Sequence, residues 1–134
     1  MYLALLSERE KEMFLGVAFN LAVADGDYSD GEKAVVNGYC QEMQCVFDES
    51  TMVKPLDVLI KDIKLNSDKR IQRIFIFELM GLVMADGKYN EVERALINKL
   101  ETEFDVVQGF VENCETALNE YIAFQTKLNQ LILK

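Results

Sequence analysis

Residues 21–36 read LAVADGDYSDGEKAVV, and residues 82–97 read LVMADGKYNEVERALI. Each stretch is the end of an apolar helical pattern, an acidic turn and the start of a second helical pattern. The Gly of Ala-Asp-Gly can take the left-handed backbone conformation that ends a helix. Ser29 and Asn90 are good N-caps, and Glu32 and Glu93 follow three residues later, where a carboxylate can bond the cap's own N–H. Asp30 and Glu91 fall in the first turn, where the helix dipole favours negative charge. Each stretch therefore encodes a helical hairpin.

The two stretches superimpose at a shift of 61 positions. Ala24, Asp25, Gly26, Tyr28, Glu32 and Ala34 meet Ala85, Asp86, Gly87, Tyr89, Glu93 and Ala95, and upstream Phe14 meets Phe75. The expectation is a duplicated hairpin, with copies over about 8–46 and 68–104 packed around an approximate two-fold axis.

Outward from the turns, helical spacing dominates. Ser7 and Glu10 form a capping box, and Phe14, Val17, Ala18, Leu21 and Ala22 fall on one helical face. In the helix after Ser29, running to about Cys45, the spacing turns Ala34, Val35, Gly38 and Met43 inward. Phe47–Thr51 reads as a loop, and Pro55 suits the first turn of a short helix to Lys64. Asn66 or Ser67 caps a helix over 68–85 that is apolar nearly all round and so belongs at the centre of the core. Within it Glu78 is the one charge between Ile74 and Ala85. A further helix ends near Phe104. Asp105 and Gln108 read as another capping pair, opening a C-terminal helical region over about 106–133. Its Cys114, Leu118, Tyr121, Gln125, Leu128 and Ile132 keep a three-four spacing that reads as core packing, with an exposed partner-binding seam as the alternative. Tyr89 lies within reach of Arg94, as Tyr28 does of Lys33, for a cation–π contact.

Length and composition agree with this reading. A chain of 134 residues that is half apolar fits one all-α domain spanning 1–134, a bundle of six or seven helices with a core large enough to need no disulfide or metal. The formal charge of −9 disfavours nucleic-acid binding, which rests on Lys and Arg. Cys40, Cys45 and Cys114 are odd in number and lack CxxC spacing, as free thiols in a reducing compartment would. No cationic start leads into an apolar run, and no segment is apolar for long enough to span a bilayer. The expected location is cytoplasmic. There is no histidine, which removes the usual general base and the commonest metal ligand.

The acidic turns admit two readings. In the first, every carboxylate caps or orients a helix end. In the second, Asp25, Asp27, Asp30 and Glu32, four carboxylates within eight residues, ligate a hard divalent cation such as Ca²⁺, Mg²⁺ or Mn²⁺, and Asp86, Glu91 and Glu93 form a weaker second site offset by Lys88. An EF-hand loop is excluded, because its required Gly would fall at Asp30 and its bidentate Glu at Val36.

These residues resemble the TerB-like family, named for a tellurite-resistance protein and also found as the amino-terminal part of a membrane-tethered DnaJ-type co-chaperone. The shared pattern is an apolar helix ending in small-x-Ala-Asp-Gly, a short turn, and a helix with a glutamate in its first turn. It spans about Glu8 to Phe104. The resemblance implies a compact all-helical domain, a link to metal or envelope stress, and a divalent-cation site falling on Asp25, Glu32, Asp86 and Glu93. With neither a J domain nor a transmembrane segment, the co-chaperone role does not carry over.

The reading is thus a non-enzymatic protein-interaction module with an unidentified protein partner, a membrane-associated complex among the assemblies open to it, and an optional cation site. The alternatives are a metal-dependent hydrolase built on the clustered carboxylates and a structural helical module that forms a homodimer through its last helix.

Overall fold

The computed structural model describes residues 1–24, 26, 30–84 and 89–134. Among the described residues the secondary structure is entirely helical. A 3-10 turn at Leu3–Leu5 precedes seven α-helices: α1 (Glu8–Ala22), α2 (Asp30–Met43), α3 (Glu49–Met52), α4 (Leu56–Asn66), α5 (Lys69–Met84), α6 (Glu91–Glu103) and α7 (Phe110–Leu133).

The helix ends follow local chemistry. Ser7 and Glu10 form the expected capping box at α1, with Glu10 N–H donating to Ser7 Oγ (3.2 Å) and Ser7 N–H to Glu10 Oε1 (2.8 Å). Asn90 and Glu93 repeat it at α6. Two caps differ from the sequence reading. Asp68, rather than Asn66 or Ser67, accepts at the start of α5, from Ile71 N–H at 2.9 Å. Asn66 instead donates to the Asp62 carbonyl at 3.0 Å. At α7, Asp105 and Gln108 do not cap. Asp105 sits in the left-handed region at φ 51° and stops α6, and the first-turn N–H of Val111 is taken by Glu101 of α6 at 2.9 Å. Lys69 donates to the Phe104 and Asp105 carbonyls, which α6 leaves open at its C-terminus.

The buried side chains form one hydrophobic cluster that draws on the 3-10 turn and all seven helices. α5 lies at its centre, in contact with α1, α2, α6 and α7, as its near-continuous apolar surface requires. Phe14 of α1 and Phe75 of α5, the pair that the 61-residue shift overlays, meet edge to face at 5.5 Å between ring centroids. Tyr39 of α2 completes the aromatic group, 5.2 Å from Phe14. The Tyr39 hydroxyl donates to the Glu78 carbonyl at 2.6 Å. Asn20, the lone polar residue of the inner α1 face, donates to the Gly16 carbonyl (2.9 Å) and the Lys54 carbonyl (3.0 Å), tying α1 to the α3–α4 connection.

Three further expectations change. Phe47–Thr51 is not wholly a loop: Asp48 accepts from the Ser50 N–H and hydroxyl and starts α3. The inward face of α2 is only partly the one expected: Met43 is buried and Val35 packs against the core, but Ala34 and Gly38 are not inside. Val36, Tyr39 and Cys40 are buried instead, because the large side chains claim the core. In α7 the apolar stripe is core only as far as Leu118. Every residue from Asn119 onward is exposed.

Candidate functional site

Asp25, Asp27 and Asp86 lie outside the described residues, as does Tyr28. The other four candidate ligands can be placed. Asp30 is the first residue of α2, exposed, with its Oδ1 4.0 Å from Lys33 Nζ. Glu32 is half-buried in the same turn. Glu91 is exposed at the start of α6. Glu93 is buried and accepts from Asn90 N–H at 3.0 Å, while Asn90 Oδ1 accepts from Glu93 N–H at 2.9 Å. The capping reading is therefore realised in the second hairpin. No group of three or more acidic or cysteine side chains converges on a metal-sized site among the described residues.

Glu78 works as a clamp. It accepts from Tyr2 N–H at 2.8 Å and from the Met1 amino group at 3.1 Å, while Glu42 accepts from Leu3 N–H at 3.2 Å. Two acids on α5 and α2 thus hold the first residues against the bundle, and fully buried Leu3 is the apolar plug between them.

Beside this clamp runs an open groove of about 800 Å³. Its floor is Phe77, Gly81 and Met84 of α5. Val35 and Tyr39 of α2 form one wall, and Leu118, Tyr121, Ile122 and Gln125 of α7 form the other. Gly81 carries no side chain, so the floor stays low below the Tyr39 hydroxyl. Tyr89 and Arg94 close one end. The Arg94 guanidinium lies 4.0 Å from the Tyr89 ring centroid and donates to both Glu115 oxygens, at 3.2 and 3.4 Å. That realises the cation–π contact expected from the sequence and adds the bridge to α7. Burial pushes the Tyr89 hydroxyl up to about 12, against the opposing pull of Arg94. Burial likewise raises Tyr39, helped by the Glu78 and Glu42 charges, so both phenols stay protonated.

All three cysteines are free thiols. Burial, with Cys45 alongside, pushes Cys40 up to about 11, and burial with the Glu101 charge does the same to Cys114. Only the thiolate is nucleophilic. At pH 8 a disulfide reagent should modify half-buried Cys45 first, with Cys40 and Cys114 reacting only in denaturant. Three fast thiols in the native protein would contradict this packing.

Among solved structures, the chain is similar to a tellurite resistance protein from Nostoc punctiforme PCC 73102, known from a crystal structure at 1.85 Å. The TM-score is 0.69 over 96% of this chain and 84% of that one. This chain has the TerB-like fold. The two sequences are 22% identical, so the likeness speaks for the TerB-like fold and not for an activity. No family model and no curated protein matches the chain. Among the described residues no helix is long and apolar enough to cross a membrane.

The groove was not legible as a site in the sequence. Its residues come from four helices, the chain's first residue and the loop before α6, and its apolar ones each read as core on their own. The one available signal was the three-four stripe of α7, which runs past the point where the bundle can cover it.

Proposed function

We propose that this TerB-like bundle is a non-enzymatic protein-interaction module that binds through the groove and the exposed apolar face of α7. The observation that carries it is the run of large apolar side chains left in water on α7: Tyr121, Ile122, Phe124, Leu128, Leu131, Ile132 and Leu133. Contiguous apolar surface of this kind marks a binding site on a folded protein. Against the hydrolase alternative, none of Asp30, Glu32, Glu91 and Glu93 lines the groove. The groove's own acids are engaged, Glu78 by backbone N–H and Glu115 by Arg94.

The test is site-specific photo-crosslinking in the source cells, with a benzophenone side chain replacing Phe124 and, as control, Lys61 on α4. Protein adducts at 124 and none at 61 support the reading. Equal labelling at both, or none at 124, overturns it.

The stress role belongs to the same proposal and draws its support from the tellurite resistance protein that shares the fold. So does the reading of the hairpins α1–α2 and α5–α6 as duplicated copies, supported by the Phe14–Phe75 contact between overlaid positions. The cation reading rests on the exposed carboxylates of Asp30 and Glu91, with Asp25, Asp27 and Asp86 close to them in sequence. A ligand bound only by the folded state raises the melting midpoint by mass action. Millimolar Ca²⁺, Mg²⁺ or Mn²⁺ should raise it for the native chain and not for Asp25→Asn with Asp86→Asn. An unchanged native midpoint in all three ions removes the cation site.

A further inference from the structure

We infer that the occupant of the groove is a second copy of this chain, whose α7 lies antiparallel to the first. This rests on the interaction reading and names its partner.

The seam of α7 has a strict period. Val111, Cys114, Leu118, Tyr121, Gln125, Leu128 and Ile132 are spaced three and four apart, the a and d positions of a heptad. The first three are buried against the body of the same molecule, and the rest are exposed. One continuous seam thus passes from the chain's own core into solvent with no change of register. The flanking Ile122, Phe124 and Leu131 widen it. The fifteen helical residues beyond Leu118 are all exposed, and an isolated helix of that length is marginal in water.

Charge favours an antiparallel second copy. From Val111 to Glu120, α7 carries Glu112, Glu115 and Glu120 and no base. From Tyr121 to Lys134 it carries Lys127 and Lys134 and no acid. Antiparallel pairing of the exposed part of the seam sets Tyr121 opposite Ile132 and Gln125 opposite Leu128, matches a to d, and brings Lys134 alongside Glu120. Glu115 is already held by Arg94, so Glu120, beside the exposed seam, supplies the negative charge. A parallel pair would set acid against acid and lysine against lysine. In the antiparallel arrangement Leu128, Leu131 and Ile132 of each copy enter the other's groove beside Tyr121 and Ile122.

The area suffices. At about 150 Å² for a large side chain when fully exposed, the seven apolar residues present on the order of 600 Å² per copy. The groove walls add to that, toward the roughly 800 Å² per partner of a stable interface. A lipid surface fits less well. Interfacial helices are rich in Lys and Arg on the polar face, whereas this one offers two lysines among amides on a body of net charge −9, which anionic lipid repels.

Sedimentation velocity of the full chain from 1 to 200 µM tests this, alongside Leu128→Asp with Ile132→Asp. The expected result is a concentration-dependent dimer, with a dissociation constant at least tenfold weaker in the variant at unchanged helix content. A benzophenone side chain at position 131 should then crosslink to residues 118–126 of the other copy. A native chain monomeric at 200 µM, a dimer untouched by the double variant, or adducts confined to 128–134 of the other copy overturns the proposal. So does a monomer that co-sediments with phosphatidylcholine–phosphatidylglycerol vesicles. Adducts at position 124 with a different protein, from a chain that stays monomeric, overturn the dimer and leave the interaction reading standing.

Discussion

Phe75→Ala lowers the stability of the bundle by about 3–5 kcal/mol, the range for removing a fully buried aromatic ring from a packed core. Phe75 has no exposed surface, and its ring stands edge-on to Phe14 at 5.5 Å. Phe14 in turn contacts Tyr39, so this ring group ties α5 to α1 and α2. The remaining side chains cannot fill the space, because α5 is packed by helices on four sides and the void has nowhere to collapse. Urea unfolding followed by far-UV circular dichroism measures the loss. Phe14→Ala should cost a similar amount, and the double variant should fall short of the sum by about 0.5–1.5 kcal/mol, the coupling of an aromatic pair. A loss below 1 kcal/mol for Phe75→Ala would place that ring outside the core.

Gly16→Ala should destabilise although it improves helix propensity. In an open helix position, alanine gains about 1 kcal/mol over glycine. At position 16 an added Cβ would lie 2.5 Å from the Met52 carbonyl oxygen and 3.0 and 3.2 Å from the two Leu59 methyl carbons. The carbonyl belongs to the backbone at the end of α3 and cannot rotate aside, so α1 and α3 must separate. Overpacking of this kind costs about 1–3 kcal/mol, enough to reverse the propensity gain. Gly38→Ala is the control. Nothing among the described residues lies within 4 Å of its added Cβ, and the substitution should stabilise by about 0.5–1 kcal/mol. Thermal melts of the two variants should move in opposite directions. A stabilised Gly16→Ala would show that α3 does not press on α1.

The glycine pair also marks how far the sequence could be read. Gly16 and Gly38 each sit in a helical pattern, and nothing local distinguishes them. The difference is a backbone carbonyl 36 residues downstream of Gly16. The same holds for α2, where small Ala34 and Gly38 fit an inward face by spacing but lose it to Val36, Tyr39 and Cys40. Glu101 shows the limit for caps. It serves Val111 from the preceding helix, across a turn and outside the short spacing of a local cap.

The candidate site divides along the same line. The capping box of Asn90 and Glu93 was legible, because both partners lie within one turn and bond each other's backbone. The Arg94 stack on Tyr89 was legible for the same reason. The bridge from Arg94 to Glu115 and the groove it closes were not, since they join residues that meet only after α7 docks.

By itself the sequence determined the all-helical class and the approximate spans of the helices other than α3, because helical period, caps and dipole effects act over a few residues. Only the tertiary structure decided which side of α2 is inside, where the core releases α7, and that an apolar groove opens beside it. Those outcomes depend on which distant side chains compete for the same volume, and that competition is resolved only when the helices pack.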